Sequence, residues 1–233
     1  MSAKKKQQNI YKDAADRMAE FQAAQNAAKS NVSRKHSDLI KASVAVLASI
    51  ALALTAQWTY FSFGPASTTT PITGLMNING AKLDMTLDRA HAPKAVAEFT
   101  KLINKGFYSG VSCHRLTTSG IFVLQCGDPT GTGSGGPGYN FGPIENAPMD
   151  DMYGEGVLAM ARVGGDGYSM GSQFFIVYGN SQILSDAAGG YTVFGKISSG
   201  LDAVKAIAKA GTADGSSDGA PVNPVSLSGI SVE

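Results

Sequence analysis

The sequence predicts a mostly β fold, a β-barrel capped by two α-helices, preceded by one N-terminal transmembrane helix. Three observations lead to this fold class: glycine makes up 28 of the 233 residues, short strand-like runs recur between turn signals, and an uncharged apolar run of 23 residues precedes them. Glycine well above its usual share of about 7% favours a turn-rich β architecture. Many short strands accompanied by two helices are typical of a capped barrel.

The charges along the chain are distributed unevenly. Residues 1–41 contain nine Lys or Arg and four acids, a net charge of +5, whereas the remainder contains ten and fourteen, a net charge of −4. The basic residues precede the apolar run and form no patch on the folded part, so no nucleic-acid binding is predicted. The expected organisation is a cytoplasmic basic segment at 1–41, a transmembrane signal anchor at 42–64, a linker at 65–72 and a folded domain at 73–233.

The apolar run at 42–64 is long enough to cross a membrane, because 23 helical residues at about 1.5 Å each exceed the roughly 30 Å hydrocarbon core. The aromatic cluster from Trp58 to Phe63 matches an interfacial belt, and the basic flank predicts a cytoplasmic N-terminus with the domain on the extracellular side of the cell membrane. Ala51-Leu52-Ala53 offers the alternative of a cleaved signal peptide. The 41 residues before the run exceed a whole secretory signal of about 15 to 30 residues, which favours an uncleaved anchor.

Local patterns predict the elements of the folded domain in order. Leu75–Ile78 and Lys82–Leu87 flank Asn79-Gly80 and form a hairpin. An apolar stripe beginning at Pro93 predicts a helix to about Lys105, and a second helix is predicted from about Leu201 to Lys209. The remaining strand-like runs are Val111–Leu116, Phe122–Cys126, Val157–Ala161, Phe174–Val177, Thr192–Phe194 and Val225–Val232.

Several sites that bind cofactors or metals are excluded by context. The glycine-rich segment Gly131–Gly138 matches a dinucleotide-binding pattern, but that pattern requires a helix directly after it, which Pro137-Gly138 opposes. A loop beside a site is the better interpretation. His36, His91 and His114 are too dispersed for a catalytic metal site, so neither a metal nor a cofactor is predicted.

The two cysteines of the chain, Cys113 and Cys126, are not predicted to act in catalysis. A dyad of Cys113 with His114 is excluded, because neighbouring strand residues point to opposite faces. A single histidine in a strand is more typical of a hydrogen-bonded structural group. The cysteines form either a disulfide in an oxidising exterior or two separate buried thiols. Separate thiols are favoured, because a cross-strand disulfide needs restrictive geometry.

Arg115 is unusual because it lies within a hydrophobic strand, where a charged side chain is normally exposed or engaged. One interpretation is an ion pair with an acid on a solvated barrel face. The other is a binding role, in which the guanidinium presents several donors to a bound peptide backbone. Composition alone favours the ion pair, but the motifs around Arg115 favour the binding role.

Separated motifs over residues 73–233 resemble the cyclophilin family of peptidyl-prolyl cis-trans isomerases. The motifs are His114-Arg115 followed by Phe122, Gln125, Gly127 and Asp128, then Ala159-Met160-Ala161, Gly171-Ser172-Gln173-Phe174-Phe175 and Val193-Phe194-Gly195. The resemblance implies a closed antiparallel eight-stranded barrel with two capping helices and an isomerase (rotamase) that assists protein folding. Its substrates would be proline-containing peptides and unfolded or exported proteins, and no cofactor would be needed.

The resemblance also implies roles for individual residues. The catalytic set is Arg115, Phe122 and Gln125, in which Arg115 donates a hydrogen bond to the prolyl nitrogen in the twisted transition state. The substrate-binding set is His114, Val123, Ala161, Arg162, Phe175, Leu184 and Tyr191. Tyr191 stands where many members have histidine.

The chain departs from the family pattern near the site. Two extra residues lie between Arg115 and Phe122, which predicts an enlarged turn. Val123 replaces a methionine and Ile183 stands near the usual tryptophan position, so weak cyclosporin binding is expected. Arg162 replaces an asparagine, which predicts a preference for acidic residues near the proline. Two alternatives to an isomerase stay open: a proline-peptide-binding or chaperone module without useful turnover, and a structural envelope protein.

Overall fold

The computed structural model describes residues 18–20, 22–27, 29, 41–57, 59 and 70–233. The chain divides into two compact units, Met1–Ala66 and Ser67–Glu233. In the first unit, residues 41–57 are helical. None of the described helices is both long and apolar enough to span a membrane. The remaining positions of the predicted anchor, 58 and 60–64, lie outside the described residues.

The part of the second unit that is described, residues 70–233, contains eleven strands and two helices. They are β1 (Ile72–Ile78), β2 (Ala81–Leu87), α1 (Pro93–Asn104), β3 (Arg115–Thr117), β4 (Phe122–Cys126), β5 (Met152–Tyr153), β6 (Val157–Met160), β7 (Phe174–Gly179), β8 (Ser181–Gln182), β9 (Val193–Ser199), α2 (Asp202–Ala210), β10 (Asp218–Gly219) and β11 (Leu227–Val232). The mostly β architecture and both predicted helices are therefore confirmed. The short strands β5, β8 and β10 were not predicted.

The β1–β2 hairpin forms where the sequence predicts it. Asn79 and Gly80 both have positive φ, 49° and 85°, as a two-residue type I′ turn requires. The ladder pairs Ile78 with Ala81 directly across the turn. Leu83 and Met85 alternate inward and are buried in the main core.

Helix α1 begins at Pro93, whose missing N–H is not needed in the first turn. The first turn contains no acidic residue, and the carboxylate of Glu145 supplies the cap from another segment. Its Oε2 accepts the backbone N–H groups of Lys94 and Ala95, both at 3.0 Å. The apolar side of α1, centred on Phe99, is buried in the core.

The main sheet corrects the prediction of a closed eight-stranded barrel. It has nine antiparallel strands in the order β10-β3-β4-β7-β6-β9-β2-β1-β11, and β5 pairs separately with β8. No ladder within residues 70–233 joins the edge strands β10 and β11. The segment before β3 reaches β11 through backbone contacts outside any ladder. Gly110 and Val111 exchange hydrogen bonds with Leu227, both at 2.8 Å, and Ser112 bridges to Ser226. The fold is a half-barrel because the strand predicted to begin at Val111 starts only at Arg115.

Strand β4 separates two apolar clusters and thereby positions the site. Leu124 and Cys126 face the main core together with Phe174. Val123 faces a smaller cluster that contains Phe175. Successive strand residues point to opposite faces, so the second cluster lies on the side of β4 away from the barrel core.

A disulfide joins Cys113 to Cys126. The prediction of two separate buried thiols is therefore wrong. The β3–β4 ladder pairs Arg115 with Gln125, which brings the two arms of the hairpin together just inside these positions. Both cysteines are buried, and their bond closes the hairpin that carries Arg115 and Gln125.

Candidate active site

The guanidinium of Arg115 is held by two side chains from neighbouring strands. Its Nε donates to Oδ1 of Asp218 at 2.7 Å, and its Nη2 donates to Oδ2 of the same carboxylate at 2.8 Å. Its Nη1 donates to Oε1 of Gln125 at 3.1 Å. The hydrogen bonds with Asp218 raise the pKa of Arg115, and Arg115 lowers the pKa of Asp218. Arg115 thus forms an ion pair, the first interpretation from the sequence. It also lines a cavity, as a role in binding a peptide backbone requires.

Gln125 links Arg115 to the glycine-rich loop through a chain of side-chain hydrogen bonds. Its Nε2 donates to Oε1 of Gln173 at 2.8 Å. The Nε2 of Gln173 in turn donates to the carbonyls of Gly133 and Gly135 at 3.0 and 2.9 Å. Because Oε1 of Gln125 accepts from Arg115 while Nε2 donates to Gln173, the Gln125 amide has one defined orientation.

The cavity beside Arg115 has a volume of about 560 Å³, which suits a small peptide segment. Its walls combine an apolar side with a polar rim. The apolar side chains are Ile121, Val123, Ala161, Phe175, Ile183, Tyr191 and Ala220, and the polar and charged ones include His114, Arg115, Gln125, Arg162 and Asp218. The structure therefore brings together Arg115 and Gln125 from the predicted catalytic set and six of the seven residues predicted to bind substrate.

Phe122 of the predicted catalytic set and Leu184 of the predicted substrate-binding set are not brought into this cavity. Alternation along β4 points Val123 into the cavity and Phe122 away from it, so the Phe122 ring packs against Tyr178 with centroids 5.9 Å apart. The side chain of Leu184 is 70% exposed, and Ile183 lines the cavity in its place.

His114 lines the cavity, but neither of its ring nitrogens has a hydrogen-bond partner within the described residues. The prediction of a hydrogen-bonded structural histidine is therefore wrong. Burial lowers the pKa of His114, so the ring is neutral at neutral pH. A neutral ring can accept or donate one hydrogen bond through each nitrogen according to its tautomer.

Arg162 uses its donors within the protein. Its side chain is 0% exposed, and Nη1 and Nη2 donate to the Asp186 carboxylate, both at 2.9 Å. Further bonds go to the carbonyls of Val163 and Gly189–Gly190, so all five N–H groups are engaged. These hydrogen bonds hold the pKa of Asp186 well below its usual range. The expected preference for acidic peptides loses its basis, because the charge of Arg162 is already neutralised.

The glycine-rich loop is ordered by Asp128, which is 0% exposed. Its carboxylate accepts the backbone N–H groups of Thr130, Gly133 and Gly135 at 2.7, 2.6 and 3.1 Å. Burial alone raises the pKa of Asp128, but these backbone hydrogen bonds outweigh it and hold the pKa well below the usual range. The loop, predicted to lie beside a site, covers one side of the cavity through Thr132 and Gly133.

Asp128→Asn is expected to destabilise the domain by about 1–3 kcal/mol, the penalty for leaving buried donors poorly paired. The depressed folded-state pKa means that the carboxylate stabilises the fold above its unfolded pKa of about 3.9. That contribution disappears as the pH falls towards the folded-state pKa. Denaturant unfolding from pH 7 to pH 3 should therefore show the gap between wild type and variant narrowing below about pH 4.

The matched control is Asp150→Asn, an exposed aspartate that accepts a single backbone N–H from Met152. We expect its unfolding free energy to stay close to that of the wild type. A gap between wild type and Asp128→Asn that stays constant down to pH 3 would contradict the role given to Asp128.

Three residues that contribute to the site were not among the site residues predicted from the sequence. Asp218 lies 103 residues from Arg115, and no local pattern marks it. Ile121 directly precedes β4 and lines the cavity two positions before Val123. Gln173 belongs to the motif Gly171-Ser172-Gln173-Phe174-Phe175, but its contact with Gln125 depends on the β4–β7 pairing. Among the described residues, no group of three or more His, Cys, Asp or Glu side chains is placed to hold a metal ion.

Comparison with known proteins identifies relatives over most of the folded domain. The family model described as "Cyclophilin type peptidyl-prolyl cis-trans isomerase/CLD" matches residues 75–232. A "Probable peptidyl-prolyl cis-trans isomerase B" of Mycobacterium leprae is 39% identical over 174 residues, which cover 70% of this chain and 57% of that protein. The "Peptidyl-prolyl cis-trans isomerase B" of Bacillus subtilis is 43% identical over 127 residues, covering 54% of this chain and 83% of the relative.

Solved structures show the same fold. A crystal structure of a cyclophilin type peptidyl-prolyl cis-trans isomerase from Cryptosporidium parvum has a TM-score of 0.59 at 28% identity, covering 70% of this chain and 98% of that one. The same protein was crystallised in the presence of the dipeptide Ala-Pro, with a TM-score of 0.58, 28% identity and coverage of 69% and 98%. The chain spans only 57% and 52% of the mycobacterial relatives that it matches.

Proposed function

The chain belongs to the family of cyclophilin-type peptidyl-prolyl cis-trans isomerases, and we propose that its folded domain accelerates cis–trans exchange at X-Pro bonds in peptides and unfolded proteins. One observation carries the proposal: the Arg115 guanidinium is fixed by Asp218 and Gln125 at the rim of a cavity whose other side is apolar. That combination provides a place for a proline ring and a donor for the amide beside it.

The chemistry requires no bond to a nucleophile and no metal. Rotation about a peptide bond is opposed by about 18–20 kcal/mol, because the nitrogen lone pair is delocalised into the carbonyl. In the twisted transition state the lone pair localises on the prolyl nitrogen and becomes a hydrogen-bond acceptor. Arg115 donates to that nitrogen and so stabilises the twisted state more than either planar state.

The apolar side of the cavity holds the proline ring during this rotation. Val123 and Phe175 are 2% and 5% exposed, so they present a fixed surface. Ile121 and Ile183 complete it, taking the places predicted for Phe122 and Leu184. Gln125 keeps the guanidinium oriented and borders the path of the substrate backbone.

The test is a protease-coupled isomerisation assay on the full chain with a peptide that contains Ala-Pro. The proposal expects the slow phase from the cis peptide to accelerate in proportion to protein concentration. Saturable peptide binding without acceleration would favour the alternative, a proline-peptide-binding or chaperone module. No saturable binding at all would favour a structural envelope protein.

We also propose that residues 42–64 anchor the chain in the cell membrane, with the N-terminus cytoplasmic and the isomerase domain on the extracellular side. The uncharged run of 23 residues and the basic segment before it support this arrangement. The Cys113–Cys126 disulfide also supports it, because disulfides persist in oxidising compartments. The clients would then be exported proteins as they fold. Alkaline extraction of membranes and protease treatment of intact cells test the two parts, and release of the intact chain by alkali would contradict the anchor.

We expect weak cyclosporin binding. Val123 offers a smaller and stiffer surface than the usual methionine, and Ile183 rather than an indole lines the cavity rim. Isothermal titration calorimetry on the active protein measures this directly. Tight binding would show that these two positions do not determine cyclosporin recognition in this chain.

A further inference from the structure

Asp218 lies on the edge strand β10 of the main sheet, next to the strand that carries Arg115. The ladder pairs Asp218 with Thr117 and Gly219 with Leu116. Arg115 and Thr117 are two positions apart on β3 and therefore share one face. Asp218 is thus a diagonal neighbour of Arg115 on the cavity side of the sheet.

The carboxylate binds the Nε–Nη2 edge of the guanidinium in a two-point contact, at 2.7 and 2.8 Å. Together with Gln125, it uses three of the five N–H groups of Arg115. The other two donors, one on each Nη, have no partner among the described residues and belong to a side chain that lines the cavity. Asp218 therefore fixes the plane of the guanidinium and leaves donors for a ligand.

The segment around Asp218 is braced by its own hydrogen bonds. The Ser216 hydroxyl donates to the Asp218 carbonyl at 2.8 Å. The Thr118 N–H donates to the Ser217 carbonyl at 2.8 Å, and the Ala213 N–H donates to the Ala220 carbonyl at 2.8 Å. The bond from Thr118 ties the start of β10 to the end of β3, and the other two order the segment itself, so the backbone that carries the carboxylate has a defined position relative to Arg115.

The exposure of the pair indicates that its role is not mainly to stabilise the fold. The side chains of Arg115 and Asp218 are 40% and 53% exposed, and ion pairs of this kind contribute little to folding. An arginine side chain has large rotamer freedom when unrestrained. The two-point contact with the Asp218 carboxylate removes that freedom from the guanidinium, which faces the cavity.

We propose that Asp218 is a positioning residue for the isomerase reaction, holding Arg115 so that its remaining N–H donors face the prolyl amide. This inference rests on the proposed function. Asp218 acts through Arg115 and need not touch the substrate. Its substitution should therefore lower kcat/KM only while Arg115 is present.

The test compares the full chain with Asp218→Asn, Asp218→Glu and Arg115→Ala, and with the double variant Arg115→Ala/Asp218→Asn. Asp218→Asn is expected to lower kcat/KM about tenfold, within the roughly 10²-fold loss that misplacement of a catalytic group can cause. The peptide Kd should change less than about twofold, because the apolar contacts that hold the proline are intact. Asp218→Glu, which keeps the charge, should recover most of the rate.

Asp84→Asn is the matched control, since Asp84 is also an exposed strand aspartate and its carboxylate accepts from the Ser199 hydroxyl rather than from Arg115. It should leave kcat/KM unchanged. In the Arg115→Ala background, Asp218→Asn should cause no further loss. A rate for Asp218→Asn within twofold of wild type, or a further loss in the Arg115→Ala background, would overturn the inference.

A second readout separates this inference from the proposed function. The Arg115 Nε–H resonance, assigned by its loss in Arg115→Ala, should exchange slowly with water in wild type and rapidly in Asp218→Asn. If the wild type does not accelerate isomerisation, the proposed function fails, while slow Nε–H exchange that depends on Asp218 still supports the positioning contact. Equal exchange in the two proteins overturns it.

Discussion

Arg115→Ala is expected to lower kcat/KM for an Ala-Pro peptide by about 10²–10³-fold, the loss that follows removal of one preorganised hydrogen-bond donor at a transition state. The substitution removes the only group of the cavity that combines a positive charge with donors not used within the described residues, since Arg162 is fully engaged. Peptide binding should weaken much less, because the apolar wall around Phe175 is unchanged. The protease-coupled assay gives the rate, and calorimetry gives the Kd.

Arg115→Lys is the matched control for charge. A lysine keeps the positive charge but lacks the planar fork that binds Asp218 and Gln125 together. We expect it to retain no more than a small part of the activity, and both variants should unfold within about 1 kcal/mol of wild type, since the lost ion pair is partly exposed. Equal rates for wild type and Arg115→Ala would contradict the mechanism and favour a binding module.

Elements that depend on short-range signals could be predicted from the sequence. The hairpin at Asn79-Gly80 needs only two residues that adopt positive φ between alternating strands. Helix α1 follows from Pro93 and its apolar stripe, and each predicted helix end lies within one residue of the observed one. The motifs around Arg115 and Gln125 also placed these two side chains together correctly.

Features that depend on distant segments could not be predicted in this way. Asp218 reaches Arg115 only through the pairing of a two-residue strand with β3, which is too short to have a recognisable pattern. Ile121 rather than Phe122 lines the cavity, because side chains alternate between the two faces from Ile121 through Val123. Ile121 lies at the end of the enlarged turn, where it forms a bridge with Ser119. The gap between the edge strands β10 and β11 similarly depends on how closely the two ends of the sheet approach each other.

Removal of the Cys113–Cys126 disulfide is expected to destabilise the domain substantially. The cysteines are 13 residues apart, and a closed loop of about 15 residues is worth about 3 kcal/mol through restriction of the unfolded chain. For a domain of this size, that loss corresponds to a fall in Tm of about 6–12 °C. The loop encloses the β3–β4 hairpin, which carries Arg115 and Gln125.

The double variant Cys113→Ala/Cys126→Ala provides the measurement, since both positions are buried and alanine leaves no thiol to re-form the bond. Its Tm should match that of reduced wild type to within the effect of two small cavities, and reductant should not change it further. The variant should keep most of its kcat/KM at low temperature, because the Arg115–Gln125 pairing and the Asp218 contact involve neither cysteine. Two free thiols counted on unfolded, never-reduced protein would contradict the bond itself. If wild type has no free thiols and the double variant nevertheless has the same Tm, the unfolded chain is restricted in some other way.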